Sequence, residues 1–238
     1  MGKTIRKGRH GHYAADEIPK ECYASKNAER LGAVADGEKK TLDFRGKSYL
    51  APLTTVGNMP FRRVCKDYGV DITCGEMATC KNLVMGKMSE WALVQRHVSE
   101  DFFGVQIAGA WPDELCKVAE LVGEFCDVDF IDINCGCPLD LICNTGAGCR
   151  LGKAPDKLAG CISSMKVASG LPVTCKIRTG WKPEDDMAHK LIAKLKEVRF
   201  SQLYYSLKNG LSGSTSPYNT AWKIKDLPIH GRRAMGLH

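Results

Sequence analysis

Short apolar runs alternate with segments of helical periodicity from residue 47 onward, and this alternation repeats five times. These runs have the length of strands rather than of helices. They are residues 48–53, 71–77, 102–107, 128–134 and 172–178. Runs of this kind predict strands buried on both faces, as in a parallel sheet that is covered by helices.

Helix start and stop signals occur in the segments between these strands. Helices are predicted to begin at Pro60 and at Ser89. Two longer helices are predicted over residues 112–126 and 155–168, and the first of them has a continuous apolar stripe. A fifth helix, over residues 183–196, has an acidic first turn and a basic last turn, as the helix dipole favours. The pattern therefore predicts five strand–helix units.

Two architectures are built from such units, a doubly wound sheet and an eightfold barrel. A doubly wound sheet usually has a glycine-rich phosphate turn after its first strand, where this chain has Pro52, Leu53 and Thr54. In barrels the reactive residues lie at the carboxyl ends of several strands. The later predicted strands end in polar residues, which are Glu76, Gln106, Asn134 and Lys176. We therefore predict an α/β fold of the TIM-type (β/α) barrel class.

Length and charge divide the 238 residues into three parts. Five units take up residues 48–198, whereas a complete barrel needs about 250 residues. We predict a polar N-terminal extension over residues 1–46, an incomplete barrel of about five units over 47–198, and an irregular basic tail over 199–238. The net charge of +7 lies in the two ends, which suits contacts with a phosphate backbone and is equally typical of solvated tails.

Composition and cysteine usage are typical of a globular intracellular protein. Apolar residues make up 44% of the chain and charged residues 26%. No apolar run reaches the ~18 residues of a membrane helix, and the first residues lack the apolar stretch of a secretory signal. The twelve cysteines include no Cys-x-x-Cys pair, which favours reduced, buried thiols over a zinc site. We expect a cytoplasmic or nuclear protein with no membrane contact and no metal.

One loop is the main candidate for chemistry. Residues 131–138 read Ile-Asp-Ile-Asn-Cys-Gly-Cys-Pro, and a glycine-rich stretch follows at residues 144–148. Cys137 lies between a glycine and a proline, so the backbone is expected to turn sharply there and to present the thiol. Thiols are mostly protonated at pH 7, which suits a general acid better than a nucleophile. The alternatives are a structural cysteine or, with Cys135, a metal site that lacks further ligands at suitable spacing.

Polar residues on two other predicted strands point to a binding site for an anion or an electron-rich ring. Lys176 and Arg178 alternate with apolar neighbours, so both face the same side of their strand. A cation at the mouth of a barrel is stabilised by a phosphate or carbonyl group, or alternatively by a carboxylate on a neighbouring strand. Gln106 can both donate to and accept from a planar ring edge.

Together these segments resemble the tRNA-dihydrouridine synthases, in particular the eukaryotic branch that modifies position 47 of tRNA. The resemblance covers about residues 42–198. It is carried by Ala-Pro-Leu-Thr-Thr-Val-Gly-Asn-Met-Pro-Phe-Arg-Arg at 51–63, Thr-Cys-Gly-Glu-Met at 73–77, Ser-Glu-Trp-Ala-Leu at 89–93, Gly-Val-Gln at 104–106, Asp-Phe-Ile-Asp-Ile-Asn-Cys-Gly-Cys-Pro at 129–138 and Lys-Ile-Arg-Thr-Gly at 176–180.

The resemblance implies a flavin-binding barrel that reduces uridine in tRNA to dihydrouridine, with FMN as the cofactor and NADPH as the reductant. It also implies that hydride passes from the flavin to C6 of the uracil and that Cys137 protonates C5. The implied flavin contacts are Pro52, Leu53 and Thr54 in the turn after the first strand, and Gln106 and Lys176 at the flavin ring. Asn134 and Arg178 match positions near the flavin and the substrate base.

One further motif and two alternative functions have to be considered. The His-Gly-Arg motif expected after the next strand of the family matches residues 230–232, which lie 54 residues beyond Lys176. Another FMN-dependent barrel, acting on a small molecule such as a pyrimidine, remains an alternative. So does a non-catalytic fragment whose basic ends bind RNA or a partner.

Overall fold

The computed structural model describes residues 43–44, 46–178, 187–195, 202–206 and 221–223. Its strands are β1 (Ser48–Leu50), β2 (Ile72–Cys74), β3 (Ala78–Thr79), β4 (Phe103–Ala108), β5 (Phe130–Cys135), β6 (Val173–Arg178), β7 (Gln202–Ser206) and β8 (Ala221–Lys223). Its helices are α1 (Met59–Asp67), α2 (Cys80–Val84), α3 (Met88–Trp91), α4 (Pro112–Phe125), α5 (Asp140–Cys143), α6 (Cys149–Gly152), α7 (Pro155–Ser169) and α8 (Met187–Leu195).

The strands form one sheet in the order β7-β6-β5-β4-β2-β1-β8. The neighbours from β1 to β7 in this path run parallel, the short β3 pairs with β4, and β8 runs antiparallel to β1. From β1 to β7 this path follows the order of the chain without reversing direction, whereas a doubly wound sheet reverses at a switch point. The predicted incomplete (β/α) barrel is therefore confirmed.

The five predicted strands are all present, and the first two are shorter than expected. β1 ends at Leu50, just before Ala51 and Pro52, because proline has no N–H to donate to a ladder. β2 ends at Cys74, followed by a glycine at which a Cβ would lie 2.6 Å from the Leu93 carbonyl oxygen. The chain then forms β3, which had not been predicted, along β4.

The helices agree with the predicted starts and stops, with local differences. α1, α4 and α7 lie where they were predicted, and the predicted helix at Ser89 is the short α3, continued by a 3-10 turn. α8 covers part of the predicted 183–196 segment, of which residues 183–186 and 196 lie outside the described residues. No helix in the described ranges is long and apolar enough to cross a membrane.

The sheet extends beyond the five predicted strands. β7 continues the parallel series beside β6, and β8 pairs with β1 at the other end of the path. Both strands lie within residues 199–238, for which an irregular tail had been expected. Residues 230–232, with the His-Gly-Arg motif, lie outside the described residues.

The two faces of the sheet have different chemistry. The face toward the helices carries the main apolar core, with Val105, Ile107 and Ile133 among its buried members. The opposite, inner face holds a separate apolar cluster at the amino ends of the strands, formed by Phe44, Tyr49, Ala51, Ile72, Cys74 and Phe130. Aromatic rings fill this end of the inner face, so polar groups are left to the carboxyl ends of the strands.

Gly104 makes room for this aromatic packing. A Cβ at position 104 would lie 2.2 Å from the ring of Phe130, on the neighbouring strand. Gly104→Ala is therefore expected to lower the free energy of unfolding by about 1–3 kcal/mol, because the added methyl group overpacks the cluster. Urea denaturation measures this change.

Gly160→Ala is the matched control for this substitution. Gly160 lies in α7, and a Cβ there meets nothing within 4 Å. Since alanine is the better helix former, this change is expected to raise the free energy of unfolding by up to ~1 kcal/mol. Equal stability of the two variants would contradict the close packing at Gly104.

A buried ion pair ties the first loop of the barrel to the segment before β4. Arg62, on α1, donates through Nε to Glu100 Oε1 at 2.7 Å, and both side chains are buried. Its other nitrogens donate to the carbonyl oxygens of Gly57 and Gln95 at 3.2 and 2.8 Å. The guanidinium also stacks on the ring of Phe103. The loop between β1 and α1 is thus fixed relative to the strands that carry the candidate site.

Candidate functional site

Polar side chains gather on the inner face at the carboxyl ends of β4, β5 and β6. The parallel register pairs Gln106 with Asp132, Asp132 with Thr174, and Asn134 with Lys176. Side chains two residues apart on a strand face the same side, so all five residues lie on the inner face. Strand register thus brings three residues predicted from sequence, Gln106, Asn134 and Lys176, into one group.

Hydrogen bonds join four of these side chains into a buried network. Asp132 is completely buried and accepts from Thr174 Oγ1 and from Gln106 Nε2, each at 2.6 Å. Gln106 Oε1 accepts in turn from Asn134 Nδ2 at 2.9 Å. Every member has a polar partner, as burial of such groups requires.

The network continues into the backbone of the turn that follows β5, at residues 136–138, which we call the Cys137 turn. Asn134 Oδ1 accepts from the N–H groups of Gly136 and Cys137 at 3.1 and 2.9 Å. The carbonyl oxygen of Cys137 accepts from the Cys149 N–H at 2.9 Å and from the Cys143 thiol at 3.3 Å. Both sides of the turn are therefore held, which fixes the position of its thiol-bearing residue.

The Cys137 side chain is less exposed than the sequence suggested. It is half-buried and packs against a small apolar cluster of Ala108, Ala110, Ile142 and Ala147, with Met77 alongside. The cluster joins the end of β4 to the loop after β5. The thiol is thus partly enclosed at the carboxyl rim, because α5 and the glycine-rich stretch fold back over the turn.

Gly148 allows this fold-back. Its φ is +58°, a left-handed conformation that side chains rarely adopt. A Cβ there would also lie 2.6 Å from the Cys137 carbonyl oxygen. The glycine-rich stretch therefore packs directly on the Cys137 turn.

Lys176 is a half-buried cation on this rim. Burial lowers the pKa of its ammonium group, and the nearby Asp132 carboxylate opposes the shift. Within the described residues, no hydrogen bond or ion pair to this ammonium group is found. Such a group is stabilised by an anionic or electron-rich ligand.

Arg178, which the resemblance places near the flavin and the base, is bound to the turn. Its Nε donates to the Gly136 carbonyl oxygen at 2.5 Å. The buried thiol of Cys149 donates to the same oxygen at 3.0 Å. Burial raises the pKa of Cys149 to about 11, so this thiol stays protonated and continues to donate. Arg178 thus holds the Cys137 turn from the neighbouring strand.

The residues Pro52, Leu53 and Thr54 form the start of the loop after β1. Pro52 is buried, Leu53 is half-buried and Thr54 is exposed. The Leu53 carbonyl oxygen accepts from the Gly57 N–H at 2.7 Å, which closes the loop. The loop is also tied to the segment between β2 and β3, because the Thr55 N–H donates to Glu76 Oε2 at 2.6 Å. The structure places this loop at the carboxyl end of β1, where a barrel ligand would contact it.

Two members of the network had no role in the sequence analysis, Asp132 and Thr174. The available signal was a carboxylate inside an apolar run, two residues before Asn134 and hence on the same face. The eleven described cysteines are free thiols. In the described part of the chain, no group of three or more His, Cys, Asp or Glu side chains could hold a metal ion.

A family profile and individual relatives of known name both match this chain, and they agree with each other. The dihydrouridine synthase family profile matches residues 49–198. The chain is 56% identical over 175 residues to a Xenopus tropicalis protein named tRNA-dihydrouridine(47) synthase [NAD(P)(+)]-like, covering 70% of this chain and 27% of that protein. Proteins of the same name from Homo sapiens and Arabidopsis thaliana are 53% and 51% identical, covering 67% and 66% of this chain and 25% and 23% of theirs. The chain spans about a quarter of the length of these curated relatives.

Proposed function

The chain belongs to the dihydrouridine synthase family, and from this we propose that it reduces uridine in tRNA to 5,6-dihydrouridine, with FMN as cofactor and NADPH as reductant. The relatives' names specify a tRNA-dihydrouridine synthase with NAD(P). These names favour tRNA over a small pyrimidine as the substrate. We propose that the protein works in the cytoplasm or nucleus, where its substrate is found.

The observation that carries this proposal is the position of Cys137. Its turn is bound to Asn134 on β5 and to Arg178 on β6, next to Gln106 on β4 and Lys176 on β6. A proton donor therefore lies on the same rim as a cation and two amides. This combination suits a site that binds a planar ring and protonates a second ring above it.

The residues present fit a flavin by their donor chemistry. Lys176 offers a half-buried positive charge to an electron-rich ring edge. The Gln106 amide uses one hydrogen and one lone pair within the network, so it has a second of each for a ring edge. Pro52, Leu53 and Thr54 would hold the flavin from the loop after β1. When bound, FMN reduced by NADPH would supply hydride to C6 of the uracil.

Cys137 would supply the proton that completes the reduction. We propose that its Sγ–H protonates C5 of the uracil, since the half-buried turn holds the thiol in one place. Asn134 and Arg178 would orient this turn from β5 and β6. The substrate base would therefore meet an acid whose backbone is held in place on the rim.

We propose one role for the central predicted part of the chain and another for its two ends. Residues 47–198 would provide the flavin and acid site. The basic ends, residues 1–46 and 199–238, would approach the phosphate backbone of tRNA, to which their positive charge is suited.

Flavin binding by the full chain is the primary test. The purified protein is mixed with FMN, freed of excess cofactor and examined by visible absorbance. A flavin band at about one FMN per chain is expected, and NADPH together with unmodified tRNA should then yield dihydrouridine. A chain that stays colourless after FMN addition would refute the proposed function for this protein. Bound FMN without dihydrouridine would instead favour a small-molecule substrate.

A further inference from the structure

The hydrogen bonds between Asp132 and the Cys137 turn all run in one direction. At one end the Asp132 carboxylate can only accept. At the other end the backbone N–H groups of Gly136 and Cys137 can only donate. Gln106 and Asn134 lie between these ends, and each amide has both a donor and an acceptor side. Fixed ends therefore permit a single orientation for each amide.

We infer that Asp132 is a positioning residue for Cys137, acting through Gln106 and Asn134. The carboxylate takes the Gln106 NH₂, which turns Gln106 Oε1 toward the Asn134 NH₂. Asn134 Oδ1 then faces the turn and accepts its two N–H groups. The value of this alignment for catalysis rests on the proposed function, whereas the alignment itself does not.

If the Gln106 amide were turned over at its contact with position 132, the effect would be passed on to the Cys137 turn. If Gln106 presented its oxygen to position 132, its NH₂ would meet the Asn134 NH₂, and Asn134 would have to turn over. The Asn134 NH₂ group, which can only donate, would then face the two backbone N–H groups of the turn, which also can only donate. Because buried donors without acceptors are costly, the turn would shift or open.

The surroundings of Asp132 keep it an acceptor. Thr174 donates to its second oxygen from β6. Among the described residues, the titratable groups near Asp132 include the Lys176 ammonium and the buried Cys175 thiol from β6 and the buried Cys74 thiol from β2. Burial raises the pKa of each thiol well above its usual value, so both thiols stay neutral.

Gln106→Glu tests the direction of the relay. It places two carboxyl groups where Gln106 Nε2 and Asp132 Oδ2 now lie 2.6 Å apart, so the pair is expected to share one proton. With that proton present, the new group can still donate to Asp132 and accept from Asn134. As pH rises and the proton is lost, the two charges repel and the alignment fails. Protection of the Gly136 and Cys137 amides from hydrogen exchange should then fall roughly tenfold or more.

The double variant Asp132→Asn/Gln106→Glu exchanges the two groups and is expected to rescue the turn. The new amide at position 132 donates to the new carboxylate at position 106, and its oxygen still accepts from Thr174. The carboxylate accepts from Asn134, whose orientation is unchanged. Amide protection at Gly136 and Cys137 should return to within about threefold of the wild-type value, with no pH dependence beyond that of intrinsic exchange.

Asp129→Asn is the matched control for the Asp132→Asn change in the double variant. Asp129 directly precedes β5, at the end of the strand that lies away from the turn. Asp129 Oδ2 accepts from the Phe103 N–H, away from the turn. Any effect of this variant should be spread over all peptides rather than concentrated at residues 136–137. Exchange is read by mass spectrometry and converted to protection factors.

The inference is overturned if Gln106→Glu keeps full protection at every pH, or if the double variant is no better than the single one. Should Gln106→Glu fail to fold, recovery of folding and protection in the double variant supports the relay, and lack of recovery overturns it. These measurements use the full chain without FMN or tRNA. A chain that binds no flavin but shows the rescue would therefore refute the proposed function alone.

Discussion

Cys137→Ala is expected to leave FMN binding unchanged and to reduce dihydrouridine formation by about 10²–10⁴-fold, the usual contribution of a positioned general acid. The hydrogen bonds that hold Cys137 to its described neighbours use its backbone N–H and carbonyl groups and not its thiol. Its removal therefore leaves the turn intact while deleting the proton source. Single-turnover assays with unmodified tRNA and reduced FMN-loaded protein measure the effect.

Cys65→Ala provides the control for thiol loss. Cys65 is another half-buried free thiol, on α1, and it is not a member of the Asp132 network. Its substitution should leave both FMN binding and the rate unchanged. If Cys137→Ala retained the wild-type rate, the assignment of Cys137 as the acid would be wrong.

Lys176→Met is expected to weaken FMN binding by roughly 10–100-fold, the range for loss of a charged hydrogen-bonding group. Methionine keeps the length of the side chain but removes the positive charge. Removal of a half-buried charge with no direct partner in the described residues also relieves a desolvation cost. We therefore expect the free energy of unfolding to stay the same or to rise. Fluorescence titration with FMN and urea denaturation measure the two effects.

The opposite result would identify a structural lysine. If Lys176→Met bound FMN normally but lost stability, the ammonium group would serve mainly as the counter-charge of Asp132. This is the alternative that the sequence left open for a lysine near a carboxylate. Lys166→Met, on the exposed surface of α7, serves as the control for loss of one positive charge.

The central strands could be predicted from sequence because their apolar runs are buried on both faces. β4, β5 and β6 lie within one or two residues of the predicted runs. β7 escaped prediction because its segment has only one strongly apolar residue, Leu203, beside two tyrosines. Its strand conformation comes from pairing with β6, which is a tertiary contact that a local pattern does not contain.

The sequence could predict those residues of the candidate site that lie near the ends of predicted strands. Gln106, Asn134 and Lys176 stand at the ends of predicted strands, and barrel geometry brings such ends together. The roles of Asp132 and Thr174 depend on which residues lie opposite each other across strands. Register is a property of strand pairs, so no single run reveals that Asp132 faces both Gln106 and Thr174.

The contact made by Arg178 could also not be predicted from the sequence. Alternation correctly placed it on the face that carries Lys176. Its bond to the Gly136 carbonyl depends on the path of the loop after β5, which the sequence indicated only as glycine-rich. The arginine therefore belongs with the groups that hold the turn.

The pairing of β1 with β8 bears on how the chain folds. Ser48 lies opposite Lys223, whereas the other described strand pairs join neighbouring units. Closing so long a loop costs more chain entropy than any of these local pairings, and the cost is met before the contact is made. We therefore expect the parallel series to assemble first and the antiparallel strand to dock last. The Ser48 N–H donates to Asp71 beside β2, so by alternation the Tyr49 N–H faces β8. Refolding followed by pulsed hydrogen exchange should therefore show late protection of the Tyr49 amide.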